Sequence, residues 1–282
     1  MSAESLVTNN TELTSLPDIV MQINDMVNDP SCTVADIGNL ISQDTGLTAR
    51  ILKIVNSPFY GFPSEIDTVS MAITIIGVRQ LRDLVFSTCV VSKYRQIPED
   101  LLNPDYFWQH SIGCALAART IAARIKLPNS ERLFTNGILH DIGQLMMCIA
   151  SPEKARQLLE LSRDSKQPIE EFEQAVFGFT HGDVGAAIVR KWRLPEAFIE
   201  PIQFHTSPSL AEKFTVETAV IHLANAVSHI INPENAEGDN VEIDEQVWQT
   251  LKLNKEELPN IIDDVVPQLQ EIFQILYQQQ AA

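Results

Sequence analysis

Positive charge is scarce in this chain. Lys and Arg number 20 against 37 Asp and Glu, a net charge of −17. A surface of that sign excludes broad binding to a phosphate backbone and suits solubility or docking to a basic partner. Long apolar runs are missing too: none reaches the roughly 18–20 residues that a membrane helix needs. Residues 1–13 lack the basic-then-apolar plan of a secretory signal. The four cysteines, Cys32, Cys89, Cys114 and Cys148, are scattered and form no CxxC pair. They read as reduced thiols of a cytoplasmic protein. The 11 glycines build no phosphate-cradling loop, and no GxSxG elbow is present. Nucleophilic serine or cysteine chemistry therefore has no motif to rest on. Period-2 alternation and fixed-period repeats are also missing, which removes most β architectures.

What remains is helical. Hydrophobic residues make up 45% and charged residues 20%, an ordinary globular balance. Ile19, Val20, Ile23, Met26 and Val27 form one apolar stripe after Pro17. Thr33 with Asp36 three residues on reads as a capping box. Asp44, Asn103 and Thr180 stand at further helix starts, and Gly77 at a helix end. The turn-rich stretch 56–63 is loaded with aromatics, and Phe59, Tyr60 and Phe62 could meet a partner or fold back on their own helices. The expectation is an all-α fold, with residues 1–13 a flexible leader and a connection near 98–104 between two halves.

The chemistry concentrates at Gly137-Ile138-Leu139-His140-Asp141-Ile142-Gly143. Leu133, Phe134, Ile138, Ile142, Leu145 and Ile149 recur at helical spacing, so the run reads as one helix started by Ser130. Asp141 then falls on the apolar stripe. A carboxylate there needs a metal, a cation or several hydrogen-bond donors to offset lost hydration. His110, His181 and His205 lie on other helices. A mixed imidazole and carboxylate shell suits Mn, Fe, Zn or Ni. Such a metal would turn bound water into a nucleophile for phosphoester hydrolysis. His181, in the first turn after its Thr180 cap, is expected to be neutral because the helix dipole disfavours imidazolium. Each histidine taken singly is more simply read as a satisfied core or surface residue, whereas for the set the two readings are balanced because Asp141 needs a partner. His222 and His229 read as surface or interface residues, off the face formed by Val220, Leu223, Ala224 and Val227.

Several stretches taken together resemble the HDOD domain family. They are 41–61, 72–82, Phe107-Trp108-Gln109-His110-Ser111, 138–143, His181-Gly182-Asp183-Val184-Gly185 and Leu194-Pro195-Glu196, spanning roughly 13–231. The resemblance implies an all-helical bacterial signalling module related to the HD superfamily of metal-dependent phosphohydrolases. It implies an N-terminal helical lobe over 14–100 packed on an HD-like lobe over 101–232, with helices of 233–282 packing on the core. His110 would be the early histidine of the site, His140 and Asp141 the His-Asp pair, and His181 and His205 the later histidines of a cyclic-dinucleotide phosphodiesterase branch. Asn225 would take the closing ligand position, where a carboxylate is usual and an amide is a weaker ligand. Tyr106 and Thr206 also depart from that branch. The implied function is regulation through protein contacts, by a signalling partner or a homodimer, with Asn56, Phe59, Tyr60 and Phe62 as the contact surface. No nucleic acid or membrane is expected. The alternative is an active phosphohydrolase in which Asp141 also orients the attacking water.

Overall fold

The computed structural model describes residues 2–95, 97, 99–163, 165, 167–232 and 243–278. Every regular element among them is helical. The chain divides into two compact units, Leu16–Arg95 with Pro267–Ala282, and Met1–Ser15 with Gln96–Val266. The domain limits inferred from sequence shift accordingly. Residues 1–15 belong with the later part of the chain, and the last helices are shared out between the units.

In order, the helices are α1 (Ala3–Asn9), α2 (Asp18–Asn28), α3 (Val34–Ser42), α4 (Thr45–Val55), α5 (Val69–Ile76), α6 (Val78–Lys93), α7 (Pro104–Arg124) and α8 (Ser130–Leu139). They continue as α9 (Ile142–Ala150), α10 (Pro152–Ser162), α11 (Ile169–Val176), α12 (His181–Lys191), α13 (Ile199–Gln203), α14 (Thr215–Ile231), α15 (Glu245–Leu251) and α16 (Leu258–Phe273).

The smaller unit is built on α2 to α6. Its caps follow the sequence: Thr33 and Asp36 exchange hydrogen bonds, Asp44 accepts from the Leu47 amide at 2.9 Å, and Gly77 takes φ 92° between α5 and α6. Ile41, Leu47, Ile51, Ile54 and Leu81 are fully buried in its core. The aromatic turn sends Ser57 and Phe59 into that core, while Asn56, Pro58, Gly61 and Pro63 stay exposed. Phe59 is 5% exposed and cannot serve as a contact residue. The Asn56 amide is engaged across the turn, donating to Ile66 O at 2.9 Å and accepting from Ile66 N at 2.7 Å. Tyr60 and Phe62 are half-buried and stack on each other at 5.6 Å.

In the larger unit α7 is buried on every side, as a central helix must be. Its Gly113, Cys114, Ala115, Ala117 and Ala118 present little bulk, so α8 and α14 close on it. The flexible leader expected from sequence is instead helix α1. Ser2 Oγ accepts from Ser5 N, and Ala3, Leu6 and Val7 are buried where α1 meets α12. Lys191 Nζ donates to Val7 O at 3.2 Å, and Trp192 Nε1 donates to Thr14 O at 2.7 Å. A seven-residue helix shows too little periodicity to be read alone and gains its stability from docking. One further difference concerns a boundary, and one expectation falls outside the described residues. Asn129, with φ 62°, precedes α8 in place of Ser130, and the loop expected over 232–239 lies, beyond Asn232, outside the described residues.

Candidate metal centre

The expected single helix through residues 130–149 is broken at the His-Asp pair. α8 ends at Leu139, His140 and Asp141 form the turn, and α9 begins at Ile142. The break lifts both side chains toward one point. Two glycines make it possible. A Cβ on Gly137 would lie 2.4 Å from Ala115 Cα, and one on Gly143 would lie 1.9 Å from His181 O. The turn is therefore pressed against the backbones of α7 and α12, which carry His110 and His181. Ser228 Oγ on α14 donates to His110 O at 2.7 Å and fixes that stretch of α7.

Four imidazoles converge on the Asp141 carboxylate. His110 Nε2 and His140 Nε2 lie 3.6 and 3.2 Å from Oδ2. His181 Nε2 and His205 Nε2 lie 3.6 and 3.4 Å from Oδ1. Within each pair the two Nε2 atoms are 3.2 Å apart. The acid thus splits the rings into two groups, His110 with His140 and His181 with His205, each having its donor atoms within 4.8 Å of one another. The histidines are buried, whereas the Asp141 side chain keeps 17% exposure.

The outer nitrogens decide what the inner ones can do. His140 Nδ1 meets Gly137 O at 2.8 Å and His205 Nδ1 meets Ile202 O at 2.9 Å. A carbonyl only accepts, so both Nδ1 atoms carry the proton. His181 Nδ1 lies 2.8 and 2.9 Å from the two oxygens of the buried Glu173. The neutral forms of these three rings therefore aim Nε2 lone pairs at the centre. Lone pairs 3.2 Å apart repel unless a cation lies between them. Two ligand atoms each about 2.1 Å from one ion, at tetrahedral or octahedral angles, are themselves about 3.0–3.4 Å apart. The donor set and spacing fit a divalent metal in each group.

Without a metal, protons must serve. Burial disfavours the charged forms of His140 and Asp141, but their mutual attraction prevails. It holds His140 well above the ordinary histidine range and Asp141 well below the carboxylate range. Burial likewise opposes charge on His181, yet Glu173 raises it to about 9. The neutral His181 expected from the helix dipole is thus corrected: a carboxylate in direct contact outweighs partial charges at a helix end. Burial, with the rings of His229 and His140 beside it, pushes His110 well below its usual value. Burial also lowers His205 despite its bond to Asp141. Each group so holds one imidazolium beside one neutral ring.

Asn225 reaches the His110 ring. Its Oδ1 and His110 Nδ1 are nevertheless both buried without a hydrogen bond of good geometry. It belongs to neither candidate metal group. Tyr106 stacks over His110 at 6.2 Å, with ring planes 15° apart. His229, expected at the surface or an interface, is half-buried with its ring centroid 4.3 Å from that of His110. His222 is also drawn in, with Nδ1 donating to His205 O at 2.7 Å and Nε2 accepting from Asp244 N at 3.2 Å. The polar stripe of α14 thus lies beside the site while its His222, Asn225 and His229 stay half-buried. Glu173 has no place in the sequence reading, yet the signal is there. It falls on the stripe of Ile169, Phe172 and Val176, as Asp141 does on its own.

Comparison with known proteins agrees with this architecture. The HDOD domain family model matches residues 13–208. An HDOD domain protein of unknown function from Geobacter sulfurreducens shares 24% identity and a TM-score of 0.74, over 93% of this chain and 92% of that one. A candidate phosphohydrolase of Shewanella amazonensis SB2B gives 24% identity and a TM-score of 0.77, over 98% of each chain. An uncharacterized protein of Treponema pallidum is 26% identical over 228 residues, 79% of this chain. The chain spans 43% of that relative's length.

Proposed function

Because the chain belongs to the HDOD domain family, we propose that it is a signalling module built around a divalent-metal centre. The single observation that carries this reading is the convergence of four Nε2 atoms on the two oxygens of Asp141. His110 and His140 with Asp141 Oδ2 would hold one ion, and His181 and His205 with Oδ1 another. Bound there, a metal supplies Lewis acidity and lowers the pKa of coordinated water. The protein's own part is to fix the rings through their outer nitrogens, seal them from water and keep the acid ionised. In this reading the ions set the state of a module that answers to a signalling protein in the cytoplasm. The half-buried Tyr60 and Phe62 are the contact residues left from the set expected there.

Elemental analysis of purified protein tests the centre. His140→Ala should lower bound metal relative to the unmutated chain, and equal metal in both would remove the site.

A second reading, phosphoester hydrolysis, is favoured by the exposure that Asp141 retains while its four partners are sealed. Asn225, an amide beside His110, weighs against it because it leaves metal charge uncompensated. Incubation with Mn or Fe and a panel of phosphoesters should give no turnover. Metal-dependent turnover abolished by Asp141→Ala would reverse the order of the two readings.

A further inference from the structure

The two metal groups differ in what stands behind them, and the difference bears on the metal-centre reading just given, on which this inference rests. Behind His181 lies Glu173, whose side chain is 0% exposed. Both of its oxygens are engaged: Oε2 accepts from the His181 backbone N–H at 2.8 Å, and both face the ring's Nδ1. Among the described residues the ion pair recorded for this acid is with His181. A carboxylate sealed in this way requires positive charge close by. It also orients the ring and makes the opposite nitrogen a stronger donor.

Behind the other group, among the described residues, no carboxylate besides Asp141 is paired with either ring, and the ring of His229 stands beside His110 with centroids 4.3 Å apart. His140 is backed by the neutral carbonyl of Gly137, and His110, reached by the neutral amide of Asn225, has no hydrogen bond of good geometry at Nδ1. The amide oxygen of Asn225 nearby is equally unpaired. Asp141 is common to both groups and cannot distinguish them. Glu173 thus adds one full negative charge to one side only. For a doubly charged ion leaving water, that anion favours the His181–His205 side.

We infer that Glu173 is a positioning residue that makes the two sites unequal. The Asp141–His181–His205 site fills first, and the His110–His140 side fills second and more weakly.

The test is zinc titration of the full chain after chelator treatment, followed by calorimetry and elemental analysis. Two unequal steps are expected. Glu173→Gln keeps the shape and one acceptor, and it should weaken the tighter step roughly 10–100-fold while sparing the weaker one. His205→Ala should abolish the tighter step, whereas His110→Ala should leave it in place. Ring-nitrogen shifts in the unmutated chain give a readout free of any folding defect. The His181 and His205 nitrogens should move at the first equivalent of zinc, and those of His110 and His140 at the second. Simultaneous movement of all four, or an unchanged tighter step in Glu173→Gln, would overturn the loading order and leave the metal centre standing. No zinc uptake by the unmutated chain would overturn both.

Discussion

Glu173 and His181 each occupy a place that neither charge could occupy alone, and their pairing should be visible in the pH dependence of stability. In the metal-free folded chain His181 titrates at about 9, against roughly 6.5 for an unconstrained imidazole. The folded value is the higher one. The pair therefore stabilises fully below about 6.5, and that contribution is lost as pH rises through 9. His140, also raised, acts in the same direction. Thermal melts of chelator-treated protein should fall between pH 7 and 9.5, and Glu173→Gln should flatten the decline. A melting temperature that climbs over this interval would contradict the pairing. Metal uptake should show the opposite trend, tightening as pH rises, because each ion must displace these protons. At this scale the sequence was half legible. Asp141 stood out as an acid on an apolar stripe beside a histidine. Glu173 occupies the same kind of position, but no neighbour in the chain marks it, since its partner lies eight residues on across a turn. His229, half-buried beside His110, could be read only as a surface or interface residue, because a polar stripe on a helix looks the same whether it faces water or a site.

At the scale of elements, the site depends on how closely three helices approach. Gly143→Ala would place a methyl group against His181 O, a backbone atom that no rotamer change can move. The helix propensity gained, about 1 kcal/mol, is outweighed by an overpacking cost of roughly 1–3 kcal/mol or more. Urea denaturation should show a net loss of stability, and metal content should fall with it. Helix α1 offers an independent check. Leu6 is 1% exposed, so Leu6→Ala should cost roughly 2–5 kcal/mol by the same measurement. A neutral result would mean that residues 1–13 behave as the loose leader their polarity suggests. Helix positions and caps were largely readable, because Thr33, Asp44, Asn103 and Thr180 carry the chemistry that starts a helix. The break at His140-Asp141 was not. The apolar spacing runs through it without interruption, and only the packing of Gly137 and Gly143 against other backbones requires it.

For the whole molecule, charge and connectivity matter more than any one contact. With a net charge of −17, the chain should leave duplex DNA unshifted in a gel at low salt. A shifted band would point to a local basic patch that composition conceals. Among the described residues no helix is long and apolar enough to cross a membrane, as the lack of long apolar runs implied. The all-helical class was legible because period-3.6 patterning is local. The grouping of residues 1–15 with 96–266 was not, because it depends on contacts between distant parts of the chain.

That grouping has a practical consequence. Helix α12 begins with His181 and ends beside Lys191 and Trp192, which hold α1 and the segment after it. At about 1.5 Å per residue its 11 residues separate the ring from the latch by about 16 Å. A fluorophore on the exposed Thr8, introduced as Thr8→Cys with the partly accessible Cys32 replaced by Ser, would ride on the remote end of the rod that carries the proposed ligand His181. If the proposed centre takes up zinc, a change of that fluorescence on titration would report it with every proposed ligand atom left in its native state.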